Sequence, residues 1–179
     1  MKQINWVEEI VSFIKMLAVS FVAVFLFTHF IAKPVRVEGD SMYPTLKNHD
    51  LGFSSVMKLD EIERFDIVVV KLDHQNKYIV KRVIGLPNET IMFKEDQLYI
   101  NDQPMEQNFL NEEYVNSQKI HGVFTYDFSS VQLGENEYFL MGDNRINSQD
   151  SRSYGPFRED QIVSKHLFTI YPINRIGVK

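Results

Sequence analysis

From Met16 to Ala32 the chain is built almost wholly of Leu, Val, Phe, Ala and Ile, and Ile10 to Ile14 extends the run past Lys15. A helix over 10–32, at about 1.5 Å per residue, crosses a hydrocarbon core, and a lysine near one end can reach the interface with its ammonium. The run exceeds the apolar part of a secretory signal, and a cut after Ala32 would put Phe30 where cleavage needs a small side chain. The pattern therefore predicts one retained transmembrane helix over 10–32, a short tail over 1–9, and one domain over 33–179. Charge counting leaves the orientation open, because Lys2 and Lys15 precede the span while Lys33, Arg36 and Lys47 follow it.

Composition removes several function classes. The 179 residues carry 19 Lys and Arg against 24 Asp and Glu, a net charge of -5. Without a basic stripe to neutralise phosphates, nucleic acid is not expected as a partner. There is no Cys, so neither disulfides nor thiol chemistry enter. The five histidines, His29, His49, His74, His121 and His166, are scattered rather than set at ligand spacing, so no metal is expected.

After Lys33 the pattern changes to short β-branched and aromatic runs broken by Gly, Pro, Asn and Asp, the mark of a mainly β domain. Strands are expected at 35–38, 51–56, 66–72, 78–85, 90–93, 97–101, 122–128, 137–141 and 162–170. Glu95-Asp96 reads as a hairpin turn. The polar stretch over about 102–121 reads as a surface loop or small cap.

Three segments carry candidate chemistry. In Gly39-Asp40-Ser41-Met42-Tyr43-Pro44-Thr45-Leu46, Ser41 sits in a Gly- and Pro-bounded turn just past the apolar run. A turn serine usually bonds to backbone, so Ser41 needs a base before it can be a nucleophile. No histidine is singled out, but a desolvated lysine serves, because burial penalises its charged form. In Tyr78-Ile79-Val80-Lys81-Arg82-Val83-Ile84-Gly85, period two puts Lys81 on the face of Ile79 and Val83, with Arg82 opposite. Lys71, after Val68-Val69-Val70, has a similar setting and stays open as a rival. The polar run Gly142 to Gly155 follows an apolar strand; its Asp, Arg and Ser side chains suit a buried ion-pair and hydroxyl network as well as a solvated loop. A Ser-x-x-Lys arrangement is excluded, because Pro44 lies three residues after Ser41.

These segments, in this order behind an apolar anchor, resemble type I signal peptidases, and most closely the short bacterial forms of Gram-positive organisms. The resemblance spans nearly the whole chain. It implies an antiparallel β-sheet or barrel domain with a small cap, lying outside the cytoplasm, and a cytoplasmic N-terminus. It implies Ser41 as nucleophile, Lys81 as general base, Ser148 as a hydroxyl orienting the lysine, Asp150 and Arg152 as a structural ion pair, and Asp143 as an acidic residue holding the site together. One departure is Gly39, where some relatives carry a hydroxyl that donates into the oxyanion hole; here the Ser41 N–H would remain as donor.

The reaction implied is acyl transfer without a cofactor, on signal-peptide-bearing preproteins cleaved after Ala-x-Ala-like residues. Met42, Leu46, Ile79 and Val80 are expected to line the pocket for the residue before the cut, with Val37 and Gly39 further along. The link from Ala32 to Ser41 spans about 30 Å at full extension, which keeps the serine near lipid. Phe53 could then dip into the interface. Membrane lipid is an expected partner, and the secretion translocon is a further one open to test. Two other readings stand beside this one: an inactive anchored relative that binds signal peptides without cutting, and a self-cleaving Ser/Lys protease of the repressor type.

Overall fold

The computed structural model describes residues 6–56, 61–73 and 77–178; Lys2, His74 and most of the expected N-terminal tail lie outside them. Helix α1, Trp6–Phe30, has no buried residue although it is apolar on every side. A helix hydrophobic all round suits an apolar surround on every face, which makes α1 a candidate membrane span. It begins before residue 10, and Ala32 already belongs to the first strand.

Among the described residues twelve strands follow: β1 Ala32–Arg36, β2 Leu51–Ser55, β3 Ile67–Leu72, β4 Lys77–Gly85, β5 Thr90–Lys94, β6 Gln97–Ile100, β7 Gln103–Met105, β8 Phe128–Gln132, β9 Glu137–Met141, β10 Phe157–Arg158, β11 Ile162–Tyr171 and β12 Gly177–Val178. Two short helices intervene, α2 Glu112–Gln118 and α3 Ser151–Tyr154. One sheet runs β1-β2-β11-β3-β4-β9-β10 with β12 beside β11; the other runs β7-β6-β5-β8. The fold is thus mainly antiparallel β, with β1 and β10 at the open ends of the larger sheet.

Period-two burial positions β4. Val83 joins Val68, Val70, Leu140 and Phe157 in one core with Ile79 packed against it, whereas Ile84 joins Ile91, Phe93, Phe139 and Met141 in a second. The second core fastens the smaller sheet to β4 and β9, so the segment between the site motifs is more than a loop. A third core, Val37, Met42, Leu46, Ile67 and Leu167, seats the serine turn. Burying each such side chain contributes roughly 2 kcal/mol, which makes the turn part of the rigid body.

The expected strand over 122–128 is a correction. That stretch is largely irregular, and the strand begins at Phe128. The N–H groups of Phe124 and Thr125 donate to the Asp96 carboxylate instead of a ladder, at 3.3 and 2.8 Å. The Glu95-Asp96 turn does join β5 to β6, with Lys94 opposite Gln97. Within 102–121 the chain forms β7 and α2, whose Asn111 cap accepts from the Tyr114 N–H at 2.7 Å.

Candidate active site

The Ser41 turn is closed by backbone bonds from Tyr43 N–H to the Asp40 carbonyl and from Leu46 N–H to the Met42 carbonyl. Gly39 enters it at φ +83, a conformation that a side chain would strain. From the loop after β9, Asn144 pins the turn: its N–H donates to the Ser41 carbonyl at 3.0 Å and its side-chain amide to the Asp40 carbonyl at 3.1 Å. Gly142 lets that loop approach, since a Cβ there would overlap the Ser41 carbonyl oxygen and the Ser148 hydroxyl.

Lys81 lies on β4 and donates from Nζ to Ser41 Oγ at 2.7 Å. It is 3 % exposed, whereas Lys71 is exposed to solvent, which separates the two lysines that periodicity left open. Burial lowers the Lys81 pKa to about 8; Asp150 opposes the shift, while Arg152 and Lys77 assist it. At that value a sizeable fraction of the amine is neutral near physiological pH and can accept the serine proton. Among the described residues the Ser41 N–H has no hydrogen-bond partner.

Two ion pairs brace this contact. Arg152 grips Asp150 with two bonds of 2.8 Å, and Asp150 also accepts from the Gly142 N–H at 3.0 Å. Burial works against the Asp150 charge, but Arg152 and these N–H donors outweigh it and hold the carboxyl below its ordinary range. Arg82, adjacent to Lys81 on the opposite face, forks onto Asp143 at 2.8 and 2.6 Å, and Thr45 donates to the same carboxylate at 2.6 Å. Strand β4 therefore sends one basic residue to the serine and the next to the loop that holds it.

The Ser148 hydroxyl is buried beside Asp150 and against Gly142 and is not bonded to Lys81, which differs from the orienting contact expected of it. Val37, Gly39, Met42, Ile79 and Val80 line a cleft of about 640 Å³ that contains Ser41 and Lys81. Leu46 is a correction: it is fully buried behind the turn with Ile67 and Leu167, so it supports the cleft floor without lining it. Phe53 packs edge-on against Phe27 of α1, with ring centroids 6.4 Å apart.

Arg82, Thr45, Asn144 and Arg145 escaped the sequence reading as site residues. Arg82 had a signal: period two puts it between Val80 and Ile84, and a cation so placed needs a carboxylate partner. Arg145 is buried and bonds the Gly142 carbonyl, Thr125 Oγ1 and the Gln107 side chain, tying the site loop to the cap; burial pushes its pKa down to about 10.

The family model for signal peptidase, peptidase S26, matches residues 10–171. Signal peptidase I T of Bacillus subtilis is 37 % identical over 165 residues, covering 90 % of this chain and 86 % of that protein. Signal peptidase I S of the same organism is 39 % identical, covering 94 % of this chain and 93 % of the relative. A crystal structure of a signal peptidase I from Enterococcus faecalis superposes with a TM-score of 0.54 at 29 % identity, covering 59 % of this chain and 96 % of that one. With a family match across most of its length and relatives this similar, the chain belongs to the S26 family of signal peptidases, as a type I member.

Proposed function

We propose that this signal peptidase cuts preproteins with a Ser41–Lys81 dyad, after small residues in an Ala-x-Ala pattern. The observation that carries the reading is the 2.7 Å contact between a buried amine and the serine hydroxyl. Neutral Lys81 takes the Ser41 proton as Oγ attacks the scissile carbonyl, and the Ser41 N–H stabilises the oxyanion. The protonated amine then hands its proton to the leaving nitrogen. Water, deprotonated by the same amine, later breaks the acyl-enzyme ester and frees Ser41. Asp143, Asp150 and Arg152 hold the dyad in place, while Ser148 packs against Gly142 beside Asp150.

Specificity follows from the cleft. Beyond the Arg82–Gly85 segment that pairs with β9, the β4 edge facing away from β3 has no ladder partner over Lys77–Lys81 among the described residues. Val37 to Ser41 forms the facing wall, so an extended peptide can add between them by main-chain bonds. Met42, Ile79, Val80 and Val37 leave room for a small side chain; replacing the substrate residue before the cut by Phe should lower kcat/KM about 100-fold.

The domain sits at the extracytoplasmic lipid surface, with α1 across the bilayer and the N-terminus in the cytoplasm. Strand β1 leaves α1 directly, and exposed Leu51, Phe168, Ile170 and Tyr171 on its sheet neighbours form an apolar rim suited to lipid contact. The translocon is a natural neighbour for substrates delivered there. The test is to incubate purified protein with a signal-peptide-bearing precursor. Wild type should cut at the small-residue site, while Ser41→Ala and Lys81→Ala should both be silent. Binding without cutting by the wild type would make the chain an inactive relative.

A further inference from the structure

The Ser41 cleft has a third wall, made by Asn147, Gln149 and Tyr154. Two walls, the segment Val37 to Ser41 and the β4 edge Lys77 to Lys81, end in chain order at the serine and the lysine. The loop that carries the third wall abuts that end through Asn144, whose N–H donates to the Ser41 carbonyl and whose side-chain amide donates to the Asp40 carbonyl. A peptide whose acyl half fills the extended part must cross Ser41 and leave beside this wall.

The wall is equipped for peptide backbone. The Tyr154 hydroxyl donates to Gln149 Oε1 at 2.9 Å, which fixes the side-chain amide. Among the described residues the Gln149 NH₂ group has no partner, and both side chains are exposed. The Tyr154 ring packs edge-on against buried Phe157, with centroids 6.1 Å apart, so the wall is anchored to the core. Its three side chains are polar and uncharged, matched to amide groups more than to an ionised side chain.

We infer that Gln149 and Tyr154 form the binding site for the leaving side of the substrate, the first residues after the scissile bond. The Gln149 amide donates to a peptide carbonyl there, and the Tyr154 ring bounds the adjoining side chain. This rests on the proposed reading of the cleft as the peptide site.

Two substrates sharing one acyl half test it. One continues several residues beyond the cut; the other ends in a small fluorogenic amide that has no peptide to offer the wall. In Gln149→Ala the ratio of kcat/KM, long substrate over short, should fall about fivefold to tenfold, the worth of one hydrogen bond. Tyr154→Phe, which frees the Gln149 amide to turn, should lower the same ratio by a smaller factor. A ratio unchanged in both variants, or equal losses on both substrates, overturns the inference while leaving the dyad intact. If wild type cuts neither substrate, the underlying reading fails and the inference falls with it.

Discussion

Two lysines in this molecule are buried to nearly the same degree, Lys81 at 3 % exposure and Lys165 at 5 %, yet their surroundings differ in kind. Lys165 donates to the Glu61 carbonyl at 2.6 Å and faces the Asp66 carboxylate at 3.8 Å, which also holds His166 at 2.9 Å. Lys81 meets the Ser41 hydroxyl and, among the described residues, has no carboxylate in ion-pair contact; Asp150 and Asp143 act on it only from further off, and Asp150 is held by Arg152. Burial alone therefore does not make a base. What distinguishes Lys81 is that its nearest partner is a neutral hydroxyl, while the nearby carboxylates are taken by arginines.

Methionine substitution of each lysine should separate the two environments most widely. Lys81→Met is expected to lower precursor cleavage about 10⁴-fold or more, whereas Lys165→Met should keep most of it. Stability should move the opposite way. The folded chain sheds the Lys81 proton near 8 while the unfolded chain holds it to 10.5, so folding is favoured more as pH rises across that window. Below it the full penalty stands, about 3 kcal/mol. Lys81→Met should recover that amount at neutral pH in denaturant melts and nothing above pH 10.5. Lys165→Met should lose about 2 kcal/mol through the lost bond to the Glu61 carbonyl, with Asp66 still held by His166 and the Glu63 N–H.

A smaller effect is expected from the carboxylate near Lys81. Asp150→Asn should cut the rate about 100-fold, because Arg152 loses its anchor and the Gly142 N–H loses a charged acceptor. Asp150 raises the Lys81 pKa, so its removal should also move the activity inflection to lower pH. A rate profile of the variant reads both; an inflection shifted upward would contradict the assignment. Smaller again, Gly142→Ala should destabilise by about 2 kcal/mol through its clash with Ser148 and Ser41, measurable by thermal melts.

The same contrast explains what the sequence could disclose. Lys81 was legible because alternation along one strand is local: Ile79 and Val83 on its face announce an apolar setting. Lys71, with almost the same neighbours, points to solvent, and only the packing of β3 against β11 and β4 decides that. Helix α2 spans seven residues, too short for a periodic signal, although Asn111 followed by two glutamates was a readable cap. Strands β10 and β12 have two residues each, below any pattern. The misplaced strand at 122–128 had the right alternation but lost its donors to Asp96, a side chain more than twenty-five positions away. Ser148 next to Asp150, and Gln149 and Tyr154 in the cleft, depend on how one loop folds back on the serine turn, a tertiary fact with no local trace.

The most direct test of the account is the pH dependence of kcat/KM for precursor cleavage, measured with enzyme verified as folded across the range. A neutral amine acting on Ser41 predicts a limb that rises tenfold per pH unit, bends near the Lys81 value of about 8 and then levels. A profile flat through that region, or one that keeps climbing to the ordinary lysine value of 10.5, would contradict a desolvated Lys81 as the base.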